Sequence, residues 1–217
     1  MLGLVGLNHT SAPIHIREKF CLNTDEALAF IQCLKSDSAI YGVVVLSTCN
    51  RTEIYFHQNK TCSHSCKTSV LNALCKFRKI SVHDVEQYFY VYMDEKCIRH
   101  LFKVAAGIDS MVLGEDQILG QVKDAYRLSI AQHYTGTVLN RLFHKAFEVG
   151  KKVRHQTKIN KGITSIGMAA VELIAKKHKN LADASILLIG AGDTGQLIIN
   201  CLASKKATNI TIANRTL

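Results

Sequence analysis

Four apolar residues, Ile186-Leu187-Leu188-Ile189, led by Ser185, run directly into Gly190-Ala191-Gly192-Asp193-Thr194-Gly195, and an apolar stretch over 196–203 follows at once. A buried strand that turns through three glycines into a helix is the opening of a βαβ unit, and residues 209–213 read as its second strand. The glycines at this spacing let a backbone approach a pyrophosphate at a helix N-terminus. The segment therefore predicts a dinucleotide site. The acid that would hold an NAD ribose at the end of the second strand is absent, and Asn214-Arg215-Thr216 stands there instead. An arginine among hydroxyl and amide neighbours suits a 2′-phosphate, so NADPH is the expected cofactor, held by Gly190, Ala191, Gly192, Asp193, Thr194, Gly195, Arg215 and Thr216.

The rest of the chain divides into two textures. Up to about residue 110, short strands alternate with helices: strands over 2–7, 43–46 and 53–57, and helices over 25–34, 62–79 and onward from Asp94, a candidate N-cap. Beyond Asp116 the pattern is helical over 117–133, 138–158 and 163–178. The fold class expected is an α+β catalytic domain over 1–137, a long connecting helix over 138–160, and the start of an α/β Rossmann-type domain over 161–217. With one proline, Pro13, and 13 glycines, there is no flexible linker, so a boundary should fall within or beside a helix. The sequence runs to Leu217, which is expected to leave about half of a dinucleotide domain.

Net charge narrows the partners. Twenty-seven Lys and Arg against 17 Asp and Glu give +10, which favours a polyanionic partner such as RNA, DNA or an anionic membrane, nucleic acid first. From Arg141 to Lys161 there are seven basic residues and one acid, Glu148, alongside the apolar stripe Leu139, Leu142, Phe143, Ala146, Val149 and Val153. A solvated charged face explains that helix as well as a nucleic-acid contact does. The eight cysteines read as reduced cytosolic thiols, since no signal peptide precedes them and no apolar run is long enough to span a membrane. Cys62-Ser63-His64-Ser65-Cys66 lacks a second pair of ligands, so no metal is expected.

Among the cysteines, Cys49 stands out because it follows a buried strand on the turn Ser47-Thr48-Cys49-Asn50-Arg51, with a cation two residues away that favours a thiolate. A small buried thiol is the ordinary alternative. A thiolate combined with a hydride donor suggests capture of an activated carboxyl as a thioester and its reduction to an aldehyde. His100, on a helix between Cys97 and Val104, is a core histidine on pattern and a proton-transfer group in the functional reading.

Three segments together resemble the glutamyl-tRNA reductase family: Gly6-Leu7-Asn8-His9-Thr10-Ser11-Ala12-Pro13, Ser47-Thr48-Cys49-Asn50-Arg51-Thr52-Glu53, and Gly107 through Lys123, GIDSMVLGEDQILGQVK. The resemblance extends from Leu4 to Thr216. It implies that Cys49 is the nucleophile and His100 the catalytic histidine. It further implies that Thr48, Asn50, Arg51, Ser110, Glu115, Asp116, Gln117 and Gln121 surround the glutamyl group, with Arg51 suited to a carboxylate and Glu115 to the α-ammonium. Asp116 stands where the family usually has proline. Glutamyl-tRNA(Glu) is the implied substrate and a downstream glutamate-1-semialdehyde aminomutase an implied partner. The family's C-terminal dimerisation helices lie outside this sequence, so a cytoplasmic monomer is expected, acylated on Cys49 but not competent for reduction. A shikimate-dehydrogenase-like oxidoreductase and a non-catalytic tRNA-binding module are the rival readings.

Overall fold

A computed structural model describes residues 1–36, 39–59, 65–162, 165–178 and 180–215. Thr216 of the expected cofactor set, and Cys62 and His64 of the Cys/His cluster, lie outside these residues. The chain forms two compact units, residues 1–111 with 117–158, and residues 112–116 with 159–217.

The first unit is built on an antiparallel sheet of β1 (Leu2–Asn8), β2 (Ile40–Ser47), β3 (Arg51–Gln58) and β4 (Tyr90–Met93), in the order β2-β3-β1-β4. The two central strands, β1 and β3, are buried along almost their whole length, because helices cover both faces of the sheet. On one face α1 (Ile14–Phe20), α2 (Thr24–Lys35) and α3 (Ser65–Arg78) enclose Val5, Leu7, Val43, Val45, Ile54 and Phe56 with Phe20, Phe30, Ile31 and Leu74. On the other, α4 (Asp94–Ala106), α5 (Gln117–Ala131) and α6 (Gly136–Thr157) enclose Leu4, Val44, Leu46 and Tyr55 with Leu101, Val104, Val122 and Phe143. Each such large apolar side chain contributes roughly 1.5–3 kcal/mol by leaving water.

Local chemistry explains several boundaries. Asn23 caps α2 with a reciprocal box, its side chain accepting from Glu26 N at 2.9 Å while Glu26 Oε2 accepts from Asn23 N at 2.9 Å. α1, which follows the single proline, and β4 are elements that periodicity did not predict; seven and four residues are too short to show a period. Asp94 opens α4 without capping it. Its carboxylate accepts from Leu2 N at 2.9 Å and ties the helix start to β1 instead. The first half of α6 is buried through Leu139, Leu142, Phe143 and Ala146, and at Gly150 the helix passes so close to α4 that an added Cβ would stand 2.7 Å from the Ala105 carbonyl.

The second unit contains α7 (Ile166–Lys177), β5 (Ile186–Ile189), α8 (Asp193–Ser204) and β6 (Ile210–Ala213). β5 and β6 pair in parallel, Ile186 opposite Ile210 and Ile189 opposite Ala213, and α8 is the crossover between them. This is the βαβ unit expected from the glycine pattern. Val171, Leu181, Leu202 and Ala207 form its core. Among the described residues no helix is long and apolar enough to cross a membrane.

Candidate active site

The turn between β2 and β3 is closed by its own backbone. Thr48 N donates to Arg51 O at 2.8 Å, and Thr48 Oγ1 accepts from the amides of Asn50 and Arg51, each at 3.2 Å. Three residues joining two strands of a buried sheet leave Cys49 at the tip, and its side chain is exposed. Arg17 of α1 clamps the tip from outside the turn, its Nη1 donating to Cys49 O at 2.8 Å and to Asn50 Oδ1 at 3.2 Å. Nothing in the local sequence around the cysteine signals Arg17.

Period-two alternation along β3 places Arg51, Glu53 and Tyr55 on the face towards α4, and there they build a buried polar cluster. Glu53 is fully buried and takes four partners: Arg51 Nη1 at 2.8 Å, His100 Nε2 at 2.7 Å, Tyr55 Oη at 2.5 Å and Tyr90 Oη at 2.6 Å. Burial alone would raise its pKa, yet the charge of Arg51 and the hydrogen bonds from His100 and Tyr55 outweigh it and hold the carboxyl at about 2. An ionised carboxylate only accepts, so His100 presents Nε2–H to it, and Nδ1 is the nitrogen left for proton exchange in the neutral ring. The cost of burying these groups also pushes the Tyr55 and Tyr90 hydroxyls well above the ordinary range, and raises the neighbouring Cys97 thiol to about 12. Cys97 is thereby an inert buried thiol.

Arg51 is 2% exposed, and its guanidinium also reaches the segment after α4, Nη1 meeting Asp109 Oδ2 at 3.0 Å and Nη2 donating to Asp109 O. Asp109 Oδ2 accepts in turn from Asn8 Nδ2 at 3.3 Å, and Asn8 Oδ1 holds the loop of Thr10 and Ser11. The three segments that carry the family resemblance thus meet at one ion cluster. Glu53, His100 and Asp109 place a ligand atom each within 4.8 Å of one another, a spacing that also suits a metal ion. Here Arg51 Nη1 sits against both carboxylates and supplies the cation.

Of the expected substrate residues, Thr48, Asn50 and Arg51 are in the turn itself, and Ser110 follows Asp109, its Oγ buried without a hydrogen bond. Gln121 of α5 lines a cavity of about 510 Å³ together with Ser47, the residue at which β2 enters the turn, and Asn23. Gln117 is exposed one turn earlier on α5. Glu115 and Asp116 belong to the second unit, where Asp116 Oδ1 accepts from Asn160 Nδ2 at 3.3 Å. Glu53, Asp109, Asn8 and Arg17 were not singled out from sequence. For Glu53 the signal was present, since alternation puts it on the face of Arg51.

The glycine loop of the second unit divides its labour as a dinucleotide turn requires. Gly190 has φ +104°, a conformation that a side chain rarely adopts; Gly192 would direct a Cβ into open space; and at Gly195 a Cβ would lie 2.3 Å from Gly190 O. The turn, the open approach and the tight helix contact are all present. Arg215, Asn214, Ala213, Gly190 and Ile189 line a cavity of about 440 Å³ at the carboxyl ends of the two strands, and Ala191 N donates to Asn214 Oδ1 at 3.4 Å.

The pattern described as "Glutamyl-tRNAGlu reductase, N-terminal domain" matches residues 5–157, and that of "Shikimate / quinate 5-dehydrogenase" matches residues 172–217. Glutamyl-tRNA reductase of Trichormus variabilis is 43% identical over 216 residues, 99% of this chain and 50% of the relative, and that of Chlorobium limicola is 44% identical over 98% of this chain and 50% of the relative. A solved structure, glutamyl-tRNA reductase from Methanopyrus kandleri, superposes with a TM-score of 0.64 at 31% identity, covering 99% of this chain and 49% of that one. The chain thus spans about half the length of the relatives it matches. Matched over residues 5–157 by the N-terminal-domain pattern, the chain belongs to the glutamyl-tRNA reductase family.

Proposed function

We propose that the chain carries the acylation chemistry of an NADPH-dependent reductase that converts glutamyl-tRNA(Glu) to glutamate-1-semialdehyde, the first step of five-carbon tetrapyrrole synthesis. The observation that carries this reading is Cys49, exposed at the tip of a turn whose backbone is held from both sides by Thr48 and Arg17. A nucleophile fixed in this way loses little orientational freedom when it attacks. Its sulfur adds to the ester carbonyl, the ribose oxygen of the tRNA leaves with a proton, and a thioester remains on Cys49. The chemistry that NADPH would supply, when held at the glycine loop, is the hydride that turns a thioester into an aldehyde and a free thiolate.

The other residues support those steps. His100, oriented through Nε2 by Glu53, takes the role of proton exchange in this reading. Ser110 Oγ and Gln121 offer hydrogen bonds to the glutamyl group, and Arg51 is the cation for its γ-carboxylate, approached from the side of Asp109, whose side chain is 31% exposed while that of Glu53 is fully buried. Gly190 to Gly195 would hold the pyrophosphate and Arg215 the 2′-phosphate.

The rival reading, a shikimate-dehydrogenase-like oxidoreductase, accounts for the second unit but leaves Cys49 and its clamp without a role. Incubation with radiolabelled glutamyl-tRNA, acid quench and peptide mapping separates the two. A hydroxylamine-labile label on the Cys49 peptide, lost in Cys49→Ser while tRNA affinity is kept, is the expected result. Absence of label with intact tRNA binding leaves a non-catalytic tRNA-binding module as the better account.

A further inference from the structure

The outer face of α4 carries Lys96, Arg99 and Lys103 at helical spacing, so the three cations project on one side. All three are exposed, and with Tyr92, His100 and Asp109 they line a cavity of about 260 Å³. Arg99 is paired with Glu95 at 2.7 Å, but Lys96 and Lys103 have no carboxylate partner among the described residues. The one acid in the wall, Asp109, is committed to Arg51 and Asn8. The cavity therefore keeps a positive rim that the protein does not neutralise.

Tyr92 makes the cavity more than an anion site. It stacks on Tyr90 at 5.1 Å and 19°, lies 5.2 Å from the His100 ring, and is only partly buried. Unpaired cations beside a partly exposed aromatic ring are the combination that holds single-stranded nucleic acid, phosphates on the cations and a base or ribose on the ring. A small carboxylate would use the cations and leave the aromatic wall without a partner. Position agrees with this. β4, which carries Tyr92, lies two strands from β3, whose first residue follows the Cys49 turn. Register puts Tyr92 opposite Leu4 and Leu4 opposite Tyr55, so the ring stands two strand spacings across and four residues along from Arg51, on the order of 17 Å, a span that two or three nucleotides of extended chain can cover.

Resting on the functional reading above, we propose that this cavity binds the single-stranded 3′ end of the aminoacylated RNA, with a phosphodiester against Lys96 and Lys103 and a base or ribose against Tyr92, and so places the acyl ester at Cys49. The test compares two acyl donors, glutamyl-tRNA and the glutamyl ester of adenosine, which has no phosphodiester, and reads the rate of thioester formation on Cys49 at low donor concentration. In Lys96→Gln/Lys103→Gln the tRNA rate should fall about tenfold or more, a loss of roughly 1.4 kcal/mol. The adenosine ester should react as with the parent. Tyr92→Leu should share that selectivity, since Tyr92 stands too far from the Cys49 turn to meet the terminal adenosine and holds a nucleotide further along the chain, which only the tRNA carries. The salt dependence of tRNA affinity should become shallower by about 0.7 per lysine removed, a change that a general loosening of α4 would not produce. Unchanged tRNA rate and salt slope overturn the assignment, and so does an equal loss with both donors, which would give the rim to the glutamyl group. A parent protein that neither donor acylates overturns the functional reading, and this assignment with it.

Discussion

His100 Nε2 lies 2.7 Å from Glu53 Oε1, and the same oxygen is 2.8 Å from Arg51 Nη1. One buried carboxylate therefore fixes both the histidine of the site and the cation at the root of the cysteine turn. Its pKa of about 2, against an ordinary 4.5, makes it a contributor to stability above pH 4.5 that is lost as pH falls from there towards 2. The contribution is on the order of 3 kcal/mol. Urea unfolding between pH 7 and 3 should show the parent losing stability over this window. Glu53→Gln should lack that part of the slope and be less stable at pH 7, since Arg51 loses a buried partner. Parallel pH profiles for the two proteins would falsify the assignment.

Arg51→Lys should behave as a severe change. The planar guanidinium bonds Glu53, the Asp109 carboxylate and the Asp109 carbonyl at once, and a lysine ammonium cannot meet that fork geometry. We expect a loss of about 2–3 kcal/mol in stability together with at least a tenfold fall in Cys49 acylation. Acylation and unfolding midpoints close to the parent's would show that the fork is dispensable.

Arg17→Ala tests the clamp from a residue distant in sequence. Removing it frees the Cys49 carbonyl and the Asn50 side chain while leaving the sheet intact. Loss of positioning at a nucleophile costs up to about a hundredfold, so kcat for acylation should fall by about ten- to a hundredfold with a small change in donor affinity. A change confined to KM would place Arg17 in substrate binding instead.

The nucleotide loop offers a graded series. Gly195→Ala puts a Cβ 2.3 Å from Gly190 O and should disrupt the loop itself, whereas Gly192→Ala meets open space and should spare the fold while weakening dinucleotide binding. Arg215→Asp should lower affinity for NADPH and leave or improve that for NADH. Titration followed by reduced-nicotinamide fluorescence reads all three. Equal binding of NADPH and NADH by the parent would mean that Arg215 does not hold the 2′-phosphate.

What the sequence determined by itself was local. Continuous apolar strands flanking a glycine turn specify a βαβ unit because the signal lies within some thirty residues, and the Thr48-Cys49-Asn50 turn is specified by the strands on either side of it. The place of Cys49 on that turn was legible for the same reason. Period-two alternation along β3 also contained Glu53, but not its meaning, since an acid beside Arg51 on a strand becomes a buried anchor only when His100 and Tyr90 arrive from other elements. Only the tertiary structure decided those meetings: Asp109 against Arg51 and Asn8, Arg17 over the cysteine, and the cationic rim of α4 beside Tyr92. Such contacts join residues far apart in the chain, and they are set by how the sheet and helices pack, which no local propensity encodes.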